Sequence, residues 1–109
     1  MASIDLEKLL KELKKESAVL AKEAFKKFKN EAENDAVNLI GTLEEDLKTW
    51  TLQLANGSLT KDDFEWLVMA KKELIEMVGL KHAGLSLIKI DELKAKLLNL
   101  VITKVFSLL

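Results

Sequence analysis

His82 is the only histidine in the 109-residue chain, so it is the natural first candidate for acid–base chemistry. If the chain folds back at Gly57 so that Trp50 comes level with Trp66, His82 comes level with Asp35. An imidazole beside a carboxylate would make a proton acceptor or a pH-sensitive pair. A helical di-iron centre needs two Glu-x-x-His motifs, which one histidine cannot supply. No serine or threonine carries a partner signature for nucleophilic catalysis, and the expectation is a half-buried structural histidine.

The same fold-back sets Trp50 against Trp66. A stacked pair could grip a ligand, but such a pair more often closes the end of a bundle as packing. Glu44, Glu45 and Asp46 gather with Asp62, Asp63 and Glu65 near the turn. Hard cations favour oxygen clusters, yet the Asp-x-Asp-x-Asp-Gly loop that holds calcium is missing. A solvated helix face with acids at a helix N-terminus accounts for them. Lys8, Lys11, Lys14, Lys15, Lys22, Lys26, Lys27 and Lys29 resemble a basic stripe but are interleaved with Glu7, Glu12, Glu16 and Glu23, as on an ordinary helix surface. Nucleic-acid faces recruit arginine and exposed aromatics, and this chain has no arginine. The sequence therefore predicts no catalytic, cofactor-binding or metal-binding residues, no nucleic-acid partner and no enzyme activity.

The elements that position these residues are organised around Asn56-Gly57-Ser58-Leu59-Thr60. Gly57 supplies the positive φ that ends a helix, and Thr60 can accept the Asp63 amide as the N-cap of the next one. Leu59 and Phe64 are placed as a hydrophobic staple across that start. Upstream, Leu6, Leu10, Leu13, Ser17, Leu20 and Ala24 alternate spacings of three and four, the pattern of a coiled-coil seam. Phe28, Ala32, Ala36 and Ile40 then recur every four, a stutter, before heptads resume at Leu43, Leu47, Trp50 and Leu54. Downstream the stripe runs from Phe64 through Leu67/Val68, Leu74/Ile75 and Val78, crosses His82 and Ser86, and continues from Ile90 to Leu108.

The fold class expected is all-α: a single domain of two long antiparallel helices, about 4–55 and 61–108, each roughly 75 Å long at 1.5 Å per residue. The alternative is a monomeric four-helix up-down bundle. It would break near Asn30–Asn34, and at Gly84-Leu85-Ser86, where a Schellman stop meets an N-cap. A bare hairpin cannot cover helices that are apolar on more than one face, as the run from Leu97 to Leu109 is. The hairpin reading therefore implies a homodimer that forms a four-helix bundle. The function expected is a structural or interaction module that self-associates through its apolar faces. The alternative is an amphipathic protein of lipid or other hydrophobic surfaces, using Leu97–Leu109.

Composition bounds the rest. Half the residues are hydrophobic and a third charged, which excludes disorder. The absence of proline and cysteine removes the turn punctuation of β-rich folds and any disulfide or thiolate metal site. Met1–Asp5 lacks the apolar core of a signal peptide, and no apolar run reaches membrane-span length, so a cytoplasmic protein is expected. Charge is uneven: net +3 over residues 1–29, −7 over 30–65 and +3 over 66–109. In a hairpin this would make one acidic and one basic end.

Overall fold

The computed structural model describes residues 5–109, and every regular element among them is helical. Helix α1, Leu6–Ala24, is capped by Asp5, whose Oδ1 accepts the Lys8 amide at 3.0 Å. A 3-10 turn, Lys26–Phe28, leads into α2, Lys29–Asn56. Helix α3, Lys61–Ala70, a 3-10 turn, Lys71–Glu73, and α4, Val78–His82, together form a third arm. Helix α5, Leu87–Ser107, is the fourth.

Ion pairs and ring contacts set the topology. Lys14 meets Glu44 at 4.0 Å and Lys22 meets Glu33 at 3.5 Å, so α1 and α2 are antiparallel. Trp50 lies edge-on to Phe64, Asp46 pairs with Lys71 at 3.0 Å, and Asp35 reaches Gly79. The third arm therefore runs back along α2 in nearly the expected register. Phe64 and Phe106 bring α3 against α5, and Lys104 lies 3.2 Å from Glu12 and 3.1 Å from Glu16, bringing α5 against α1. The result is an up-down-up-down bundle measuring 45 × 23 × 18 Å.

The two continuous helices expected over 4–55 and 61–108 do not form. Both arms fold in half, and the four-helix alternative describes the chain better. (Ile4, the first residue of the expected helix, lies outside the described residues.) The reason is burial. Interrupting a helix forfeits a few hydrogen bonds, each worth about 0.5–1.5 kcal/mol net. Folding back covers the second apolar face, and each large side chain so buried contributes roughly 1.5–3 kcal/mol. Leu9, Leu13, Leu39, Ile40, Leu43, Leu47, Leu80, Leu93, Leu97 and Leu98 are all sealed within one chain. The apolar girth near the C-terminus thus needs no partner to cover it: Leu97, Leu98, Val101, Ile102 and Val105 are core, while Leu108 and Leu109 remain exposed.

The first bend falls at Phe25–Phe28, earlier than the asparagine-rich stretch named in the four-helix alternative. Phe25 and Phe28 leave helical geometry, at φ −132° ψ 76° and φ −128° ψ 41°, and both half-buried rings pack over the end of the core. The central turn has the expected chemistry. Gly57 adopts φ 83°, the Ser58 amide donates to the Gln53 carbonyl and the Gly57 amide to that of Leu54, which is a Schellman motif. Thr60 Oγ1 accepts the Asp63 amide at 3.1 Å. The last bend repeats the pattern: Gly84 sits at φ 93°, the Leu85 amide donates to the Leu80 carbonyl, and Ser86 Oγ accepts from Lys89.

No described helix is long and apolar enough to cross a membrane.

Candidate functional site

The most elaborate polar construction lies where the third arm breaks, between Glu73 and Val78. A helix interrupted there exposes carbonyls on one side and amides on the other, with no proline or glycine to excuse the break. Two long-range side chains satisfy them. From α5, Lys94 Nζ donates to the Lys72 carbonyl at 2.8 Å and to the Ile75 carbonyl at 2.9 Å. From α2, the buried Asp35 carboxylate accepts the Gly79 amide at 3.0 Å and the Leu80 amide at 2.7 Å. A cation therefore sits on orphan carbonyls and an anion on orphan amides, each matched to the local helix dipole. Lys72 adds a 3.1 Å ion pair to Asp91. A Cβ at Gly79 would stand 2.9 Å from Asp35 Oδ1, so the close approach requires glycine.

This arrangement locates Asp35 near α4 as expected, but not for the reason expected. Its partners are backbone amides, and His82, one turn further along α4, is exposed. With both carboxylate oxygens committed to main-chain donors, Asp35 is a capping group rather than a proton acceptor. The tryptophan pair also separates. Trp50 packs edge-on to Phe64 at 6.4 Å between centroids, with the Lys71 ammonium 5.8 Å above its ring. Trp66 is 70% exposed. Fold-back numbering gives the level of a residue but not its direction. Two residues around a helix from inward-facing Phe64, Trp66 has to face out.

The acids near the turn are distributed among separate lysines: Glu44 to Lys14, Glu45 to Lys48 and Asp46 to Lys71. Among the described residues no three Asp, Glu or His side chains come together to hold a metal ion. The basic first arm packs along acidic α2, so much of the charge separation foreseen for a hairpin is cancelled within one molecule. Lys104 sits between two carboxylates, and its hydrogen bonds to Glu16 and then Glu12 raise its pKa above the usual lysine value. An open groove of about 560 Å³ runs beside this triad, with Val19, Leu20 and Leu100 along its apolar part.

Lys94 was not legible as special in the sequence. Lys94 looks like any surface lysine beside Leu93, and only the position of the break gives it a task. More visible in outline is the apolar surface around this junction. Leu74 is 74% exposed, Leu87 69% and Ile88 74%, with Val78 nearly half exposed. Leu74 and Val78 flank the break, and Leu87 and Ile88 begin α5 within one turn of Asp91, which holds Lys72. Comparison with protein-family models, with curated proteins and with solved structures finds no match.

Proposed function

We propose that this protein is a non-enzymatic helical interaction module that self-associates as a homodimer through the apolar surface at the third-arm junction. The observation that carries this reading is the exposure of four large aliphatic side chains around one junction, Leu74 and Val78 flanking the break in the third arm and Leu87 and Ile88 opening α5. Large aliphatic side chains grouped on a surface mark an interaction site more often than scattered ones do. Charge favours a second copy as the occupant. Residues 71–92 carry four lysines (Lys71, Lys72, Lys81 and Lys89) and four acids (Glu73, Glu76, Asp91 and Glu92), so two such faces meet without net repulsion. The groups with chemical potential are occupied structurally: Asp35 and Lys94 cap a helix break, and Glu12 and Glu16 hold Lys104.

Sedimentation of the full chain and of a Leu87→Glu/Ile88→Glu variant tests the reading. The parent should show a dimer whose fraction rises with concentration, and the variant should sediment as a folded monomer. A parent that stays monomeric throughout, or a variant that dimerises equally well, refutes it.

A further inference from the structure

We infer that the second copy is engaged by exchange of arms: two chains open at the Phe25–Phe28 and Ala83–Ser86 bends, and each lays α1 and α5 into the place of the other's. This rests on the self-association proposed above and makes the exchanged core helices its main interface, with Leu87 the junction residue that the exchange covers.

Geometry comes first. Both bends lie at the same end of the bundle, where Ala24 and Phe25 border a cleft with Lys89 and Leu93 at the start of α5. The Gly57 turn closes the opposite end. Straightening both bends therefore turns each chain into a hairpin about Gly57, with α1 and α5 extended side by side beyond the α2 and third-arm half. Two such hairpins, set antiparallel, rebuild the contacts of α1 with α2 and of α5 with the third arm between copies, while those of α1 with α5 and of α2 with the third arm stay within each chain.

The local chemistry of the bends permits this. The first contains no glycine or proline, and Phe28 provides no side-chain cap for α2. The second depends on Gly84 at φ 93°, with open space where a Cβ would stand. Neither is a strong barrier to a continuous helix.

The apolar stripe also stays in phase through both bends. Ala21, Phe25, Phe28 and Ala32 are spaced four, three, four; Leu80, Ala83, Leu87 and Ile90 are spaced three, four, three. Residues at these spacings share one face of an unbroken helix. Straightening the second bend sets exposed Leu87 on the stripe between buried Leu80 and Ile90. The exchanged pair thus covers a side chain that the closed chain leaves in water.

The chain has no cysteine, which makes a direct test clean. Lys14→Cys and Glu44→Cys replace the ion pair that joins α1 to α2, and a short bis-maleimide then links the two positions in the isolated dimer fraction. Exchange predicts links between chains, seen as doubled mass on a denaturing gel. Links within one chain in a dimer of correct mass overturn the exchange while leaving self-association standing. Absence of any dimer overturns both. Gly84→Ala supplies the second arm of the test. It disfavours the left-handed stop and favours helix, so it should strengthen dimerisation by about tenfold or more. Inserting Gly-Ser-Gly after Gly84 should relax the bend and return the chain to monomer. Unchanged dimer fractions in both variants reject the hinge role assigned to this bend. If Gly84→Ala fails to fold by circular dichroism, the parent chain and the insertion still decide the matter.

Discussion

Asp35 shows how much one side chain can do when a helix is broken by packing instead of by glycine or proline. Its carboxylate supplies acceptors for two amides that α4 is too short to satisfy, and hydrogen bonds to a charged group are worth about 1.5–3 kcal/mol each. Removing it leaves both donors without their partner, the Leu80 amide buried and the Gly79 amide partly so. Asp35→Ala should therefore lower stability by about 3 kcal/mol or more, read from the urea midpoint, because the unmet donors add to the lost bonds. Gly79→Ala should destabilise for the converse reason, since its Cβ would push on Asp35 Oδ1. Parent-like midpoints for both would mean that α4 is not held by this contact. The core also carries two hydroxyls that nothing satisfies, Ser17 Oγ and Thr51 Oγ1, both in fully buried residues. Replacing an unpaired buried hydroxyl by an apolar group of similar shape removes a desolvation penalty of about 1–3 kcal/mol. Ser17→Ala and Thr51→Val should each raise the thermal midpoint; a fall in either would show that its hydroxyl has a partner, such as a buried water.

Among the elements, the central turn was almost fully legible, and the broken arms were not. Gly57, Thr60, Leu59 and Phe64 act through their nearest neighbours in the chain, so spacing alone placed them. Thr60→Ala should cost about 1 kcal/mol through the lost cap. Gly57→Val should cost at least as much, because a β-branched residue is forced to positive φ. Unchanged denaturation midpoints would move the start of α3. The Gly84-Leu85-Ser86 stop was equally readable, yet it was set against a seam that runs through it unbroken. A heptad stripe records which face is buried, and it cannot say whether the covering helix belongs to the same arm, the next arm or another molecule. The breaks at Phe25–Phe28 and at Leu74–Met77 carry no stop residue. They arise from tertiary burial, from aromatic rings folded over the core end and from Asp35 and Lys94 arriving across long sequence separations. For the candidate site, the level of Asp35 on α4 was visible, but its amide partners and the role of Lys94 required the break to be known.

At the scale of the whole molecule, the decisive quantity is where the C-terminal apolar run spends its surface. Leu98, Val101, Ile102 and Val105 are buried in the chain's own core, against α1 and α3, and not displayed as a lipid-facing stripe. Burying each is worth roughly 1.5–3 kcal/mol, so together they rival the ~5–15 kcal/mol by which a typical domain is stable. A chain ending at Leu97 should accordingly lose its cooperative thermal transition and most of its helical circular dichroism, with or without liposomes. The same loss is expected whether the bundle closes within one chain or between two, since α5 fills an equivalent slot in both. That equivalence gives the truncation its power over the lipid alternative. If α5 served chiefly to bind a hydrophobic surface, removing its last turns, from Leu98 on, would spare helicity and abolish only liposome binding. A folded truncated chain of unchanged mass would therefore transfer this segment from the core to the surface, and with it the function from self-association to membranes or droplets.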